Sequence, residues 1–298
     1  MFSQNPFSQT TSSQTTSSQT MSNRTHLRQT SLIALFLFLA FSLASADSSS
    51  LSAAAIVDRN VAARGGLQAW RNVKTMKMTG KMDAGGNNRP TLAFSSPGAK
   101  KGAAMPPPRP TAQVQLPFVM ELQRPRKTRL EIEFNNQKAI QVFDGSNGWK
   151  LRPFLNRHEV ENYTPDELKA TALQADLDGP LVDYAAKGTK VELDGREKVG
   201  DQDTYKLKLT LKNGQAQHIW IDSKTFLEVK IEGTPRRLDG KMRNVATYLR
   251  DYRVVSGLMV PHLLETIVEG YKDAVEKIQI ETVVVNPTLE EIAFAKPK

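Results

Sequence analysis

From Tyr205 to Lys212 apolar and polar side chains alternate, with Tyr205, Leu207, Leu209 and Leu211 set against Lys206, Lys208, Thr210 and Lys212. A period of two marks a strand with one dry and one wet face. Asn213-Gly214 follows, a pair that tolerates positive φ and predicts a two-residue type I′ turn. Across that turn Leu211 pairs with Ala216, Leu209 with His218, Leu207 with Trp220 and Tyr205 with Asp222, giving one mostly apolar face. The other face then carries Lys206, Lys208, Thr210 and Gln217 beside Ile219 and Ile221.

The same alternation recurs along the chain. Met76, Met78 and Met82 face away from Lys77, Thr79 and Lys81. Leu116, Phe118, Met120 and Leu122 follow, then Leu130, Ile132 and Phe134 against Arg129, Glu131 and Glu133. Ile140 and Val142 lead into the turn Asp144-Gly145-Ser146-Asn147-Gly148 before Trp149. Val191 and Leu193, then Leu227, Val229 and Ile231, then runs near 244–253, 258–269 and 275–285 bring the total to about eleven strands. Consecutive short strands imply an antiparallel meander, and a sheet of that size curls into a barrel or half-barrel. No repeat of fixed period is present, which argues against a propeller or solenoid.

Two stretches change to a helical period. Ala54, Val57 and Val61 predict a helix over 51–64 that ends at Gly65-Gly66, with Leu67, Trp70 and Val73 carrying the apolar stripe onward. Thr164-Pro165-Asp166-Glu167 is a capping box with proline at the first helical position. It predicts helix over 165–187, broken near Asp178-Gly179-Pro180 into a longer piece and a short one around Leu181 to Ala186. Helices interrupting a β pattern are expected to lie across the sheet as a cover. Residues 85–112 are rich in Gly and Pro and predict a flexible, partly polyproline loop.

Composition narrows the compartment. The first twenty residues are Ser, Thr and Gln rich and predict disorder, or lie upstream of a start at Met21. Arg24 and Arg28, the apolar run Leu32 to Leu43 and Ala44-Ser45-Ala46 then read as a signal peptide cleaved near Ala46. The run, about twelve residues, is short for ~30 Å of hydrocarbon, although a membrane anchor is the alternative. The expected organisation is an N-terminal leader, 1–46, and a single exported domain, 47–298. The chain has no cysteine, which removes disulfides, a thiol nucleophile and a lipidated N-terminal Cys.

Candidate chemistry is sparse. His158, His218 and His262 are scattered without metal-ligand spacing, and no nucleophile elbow, P-loop or dinucleotide fingerprint occurs. No catalytic residue, metal ligand or cofactor is therefore assigned. His218 falls on the apolar face in the register above, where a hydrogen-bonded core histidine is the ordinary reading. The net charge of +9 lacks the aromatic-basic strand platform of an RNA-binding sheet, so no nucleic acid partner is expected. Arg124, Arg126, Lys127 and Arg129 form the densest basic cluster, suited to solubility, anionic headgroups or an acidic partner.

Taken in order, the predicted signal peptide, Ala63-Arg64-Gly65-Gly66 with Trp70, Asp144-Gly145 before Gly148-Trp149, Asp178-Gly179-Pro180-Leu181-Val182-Asp183-Tyr184, Tyr205-Lys206-Leu207, and Gly257-Leu258 before Pro261-His262 resemble outer membrane lipoprotein-sorting proteins. These are relatives of the LolA-type periplasmic carriers, and the resemblance spans roughly 50–295. It implies an open antiparallel β half-barrel with helices forming a lid over an apolar cavity. It also implies a periplasmic protein that shields lipoprotein acyl chains between an inner-membrane transporter and an outer-membrane receptor; another lipid is an alternative cargo, and a monomer is expected. The family's lid-anchoring arginine has no clear counterpart here, and the 85–112 insertion is long for the group.

The sequence thus leads to a non-enzymatic carrier whose cavity is lined by Met78, Phe118, Met120, Leu207, Leu209 and Trp220. Two other readings stay open: an envelope lipid or lipoprotein sensor on the same fold, and a half-barrel enzyme using His218 or His262.

Overall fold

In the computed structural model, residues 51–85, 113–153, 156–238, 240–271 and 275–298 are described. The predicted leader and nearly all of the Gly/Pro-rich stretch lie outside the described residues. Thirteen strands build one antiparallel sheet. They are β1 (Thr75–Gly85), β2 (Gln113–Gln123), β3 (Lys127–Phe134), β4 (Gln137–Phe143), β5 (Gly148–Arg152) and β6 (Arg157–Asn162) in the first half. The second half holds β7 (Lys190–Val199), β8 (Gln202–Thr210), β9 (Ala216–Asp222), β10 (Glu228–Leu238), β11 (Lys241–Val255), β12 (Leu258–Val268) and β13 (Glu276–Val285). Strand β6 was not expected, because Arg157-His158-Glu159-Val160-Glu161-Asn162 holds a single apolar residue and shows no period.

The spatial order is β6-β5-β4-β3-β2-β1-β13-β12-β11-β10-β9-β8-β7, so the sheet is open and its two edges, β6 and β7, are neighbours in sequence. Each half is a meander, and the halves join where β1 pairs with β13. Twelve spacings of about 4.8 Å make the sheet ~58 Å wide along its curve. The connection 163–189 must carry the chain from one edge to the other, which gives the helical cover a topological cause.

Helix α1 (Ala53–Ala63) starts at Ser52, whose Oγ accepts from the Ala55 amide at 3.2 Å, and it buries Ile56, Val57, Asn60 and Val61. It stops at Gly65 and Gly66, both at positive φ. Gly65 is also pressed against the β11–β12 turn: a Cβ there would lie 2.4 Å from the Gly257 carbonyl oxygen. Helix α2 (Leu67–Asn72) follows and buries Trp70.

Helix α3 (Pro165–Gln174) has the predicted capping box, with Thr164 Oγ1 accepting from the Glu167 amide and the Glu167 carboxylate accepting from the Thr164 amide. It buries no residue of its own. The short helix expected around Leu181 to Ala186 is instead a run of turns over 177–188. Gly179, Asp183 and Gly188 all take positive φ, which a continuous right-handed helix excludes. Leu181 and Val182 are nevertheless fully buried. No helix among the described residues is long and apolar enough to cross a membrane.

The central hairpin differs from expectation by one residue. Thr210 pairs with Ala216, Lys208 with His218, Leu207 with Ile219, Lys206 with Trp220 and Tyr205 with Ile221. A type I′ turn needs positive φ at both central positions, and here Gly214 has it (+81°) while Asn213 does not. The Gly214 amide bonds the Leu211 carbonyl, the Leu211 amide bonds the Gln215 carbonyl, and Asn213 Oδ1 accepts from the Gln215 amide. The loop therefore has three residues, and the extra one turns every side chain of β9 over. Ile219 and Ile221 join Leu207, Leu209 and Tyr205 in the core, while His218 and Trp220 go to the outer face.

Candidate functional site

Pairing register identifies the inner face strand by strand. One row runs Val283, Met78, Met120, Leu130, Gln141, Lys150, Glu161 across β13, β1, β2, β3, β4, β5 and β6. A second runs Ile280, Gly80, Phe118, Ile132, Ala139, and a third pairs Leu264, Ile278, Met82 and Leu116. These apolar members pack in one cluster.

The cluster is not uniformly covered. On β8 and β9, Leu207, Leu209, Ile219 and Ile221 are 0% exposed. Helix α1 seats over this side, where Asn60 Nδ2 donates to the Phe226 carbonyl at 2.8 Å and Phe226 stacks on Tyr205 at 6.0 Å. On β1, β2, β3, β12 and β13, Met78, Leu116, Met120, Leu130, Leu264 and Ile278 are only half-buried. A half-exposed apolar tract on the inner side of a curved sheet is what an apolar guest requires.

Of the residues singled out from sequence, Met78 and Met120 belong to this tract, while Phe118 lies beside them on the inner face but is buried. Leu207 and Leu209 share the inner face but sit in its closed part. Trp220 does not join them. It lies on the outer face, with the Lys230 ammonium 3.9 Å from its ring centroid and its indole N–H donating to Glu197 at 2.9 Å. Leu116, Leu130, Leu264 and Ile278 went unassigned because alternation marks a face without marking which part of it stays open.

The first row changes character at β4. Gln141, Lys150 and Glu161 replace the apolar residues, and in the neighbouring row Arg152 pairs with Arg157. Lys150 and Arg152 are buried, at 4% and 1% exposure. The Lys150 ammonium donates to both oxygens of Glu167 in the first turn of α3, 2.6 Å to Oε2. Burial pushes the Glu167 carboxyl up, but the Lys150 bond and the Thr164 amide outweigh it and hold it below its ordinary value. Arg152 donates to Glu161 at 2.8 Å, and burial lowers its guanidinium from its ordinary value. Tyr163 reaches Gln141 at 3.4 Å and is raised well above an ordinary phenol by burial.

A second polar node fastens the other end of the cover. Asp178, 1% exposed, accepts from Arg124 at 2.6 Å and Lys187 at 2.5 Å. Arg64 donates to the Asp178 carbonyl at 3.1 Å and to Glu228 at 3.2 Å, and lies over the Trp70 ring at 4.4 Å. The motif residues Arg64, Trp70 and Asp178 thus form a structural clasp. The basic cluster is consumed in the same way: Arg126 pairs with Asp176, Lys127 with Glu291, and Arg129 with Glu131 and the Ala293 carbonyl.

The histidines do not meet. His262 is buried, its Nδ1 3.0 Å from the Val260 carbonyl oxygen. His218 lies on the outer face between Glu232 at 2.6 Å and Asp194 at 3.4 Å. Lys206 donates to Asp194 at 2.9 Å and holds that carboxyl low. Among the described residues no group of three or more potential ligands is arranged to hold a metal ion.

No family model matches the chain, and no curated protein matches it in sequence. Solved structures match it in fold. A LolA superfamily protein of Nitrosomonas europaea superposes with TM-score 0.53 at 12% identity, over 83% of this chain and 99% of the other. A putative outer membrane lipoprotein-sorting protein domain of Vibrio parahaemolyticus gives TM-score 0.50 at 12% identity, over 82% of this chain and 96% of the other. The open antiparallel half-barrel with a helical lid described above is therefore a LolA-like fold.

Proposed function

We propose that the protein is an exported carrier that shelters the acyl chains of lipoproteins, or of another lipid, on the inner face of its half-barrel and releases them at the outer membrane. The half-exposed tract of Met78, Leu116, Met120, Leu130, Leu264 and Ile278 carries this reading. Burying methylene groups yields ~0.8 kcal/mol each, so a chain of about 16 carbons contributes on the order of 10 kcal/mol. Methionine suits the task, since its unbranched thioether repacks around guests of different shape. The likeness to a putative outer membrane lipoprotein-sorting protein domain supports the cargo class; the periplasmic location and the paired partners, an inner-membrane transporter and an outer-membrane receptor, are proposed from the sequence resemblance. A monomer is the assembly proposed.

Mass spectrometry of lipids and acylated proteins that copurify with the exported protein tests it. Wild type is expected to bring down acyl-bearing species, and Met120→Glu to lose most of them while staying folded with only a modest fall in melting temperature. Val254→Glu, at a site 70% exposed, is the neutral control. Equal recovery from wild type and Met120→Glu would remove the tract from the binding surface. Recovery of one protein partner without acyl species would favour the sensor.

A further inference from the structure

The half-exposed apolar row ends at a buried lysine, Lys150. We propose that Lys150, with Gln141 opposite it on β4 and Arg152 two residues along β5 pairing with Glu161, receives the negatively charged head of an acyl ligand, and that Glu167 of α3 occupies this position until the ligand displaces it. The inference deepens the carrier reading and rests on it, narrowing the cargo to lipids that carry a carboxylate or phosphate.

Three observations carry it. First, the register sets the two chemistries end to end: Met78, Met120 and Leu130 lead directly to Gln141 and Lys150 in one row of adjacent strands. Four strand spacings make ~19 Å from Met78 to Lys150, so a chain lying along the row brings its head to the ammonium. Second, Lys150 is buried, and among the described residues its hydrogen bonds go to Glu167 alone. A buried ammonium needs an anion, and Glu167 supplies a replaceable one. Third, α3 buries none of its residues, so lifting its first turn uncovers little apolar surface. An incoming carboxylate exchanges one ion pair for another, while Glu167, at the surface end of the pair, moves into water.

The experiment compares laurate with its neutral counterpart dodecanol on the purified, delipidated full chain, by calorimetry and by hydrogen exchange of α3. Wild type is expected to bind laurate more tightly than dodecanol, and laurate alone to accelerate exchange in α3. Glu167→Gln, which keeps a capping side chain but withdraws the competing charge, is expected to bind laurate about tenfold more tightly. Lys150→Met is expected to bind the two ligands alike. A preference for laurate that survives in Lys150→Met overturns the head-group site, as does equal binding of both ligands by wild type. If acetate or inorganic phosphate alone accelerates α3 exchange as laurate does, the site takes a free small anion and the head-group proposal fails. If neither acyl ligand binds, the carrier reading itself fails.

Discussion

Single residues show why a motif can be legible and its role not. Ala63-Arg64-Gly65-Gly66 and Gly257-Leu258 stand out in the sequence, yet only the structure shows that they touch: the Met259 amide donates to the Arg64 carbonyl at 3.1 Å, and the Gly257 carbonyl leaves no room for a Cβ on Gly65. Gly65→Ala should therefore lose about 1–3 kcal/mol in denaturant unfolding. Gly145→Ala, at similar φ but facing open space, should lose less. Asp222 is a second case. Burial raises its carboxyl, but the Thr225 amide and hydroxyl, the Lys224 amide and Gln202 outweigh that and leave it depressed. A depressed carboxyl stabilises the fold above its unfolded value, near 3.9, and that contribution disappears as pH falls through the folded value. Stability should fall on acidification below about pH 4, and Asp222→Asn should start lower with a shallower acid limb.

Elements were legible where period and caps agreed. The residues 53–63 and 165–174 announced themselves by stripe and capping box, and most strands by alternation. Strand β6 did not, because its side chains meet charged partners: Glu161 accepts from both Arg152 and Arg157. The β8–β9 register failed for a different reason. Asn213-Gly214 fits a two-residue and a three-residue loop equally, and the choice decides whether Trp220 or Ile219 reaches the core. Helix α3 is the element most open to movement. Without buried residues it should exchange its amides faster than α1, whose Ile56 and Val57 are fully covered. Removing its cap in Thr164→Ala should cost about 1 kcal/mol, seen as faster exchange in α3 and not in α1.

At the scale of the whole molecule, the order of strands explains the lid. Because β6 and β7 are opposite edges joined by 163–189, the cover is a strap fixed at both ends and clasped at Asp178. Removing that carboxylate takes the shared partner from two cations and leaves Lys187 with Asp176 at 3.8 Å and Arg124 with backbone carbonyls. Asp178→Ala should cost on the order of 3 kcal/mol, toward the lower end for a buried pair because Arg124 and Lys187 keep some solvent access. The same pairing explains why the basic cluster of Arg124 to Arg129 is not a free docking patch, something a count of charges along the chain does not reveal. What the chain encodes plainly is an amphipathic sheet. Which part of its apolar face is left open is set by where α1 and the strap settle, and that depends on contacts between residues more than a hundred positions apart.

The central claim, that acyl chains lie on this open part, is tested most directly by photo-crosslinking a diazirine-bearing fatty acid to the intact protein and mapping the labelled peptides. The account predicts label on β1, β2 and β3, around Met78, Met120 and Leu130, competed away by unmodified laurate. Label concentrated on the outer face around His218 and Trp220, or none that competes, would contradict it.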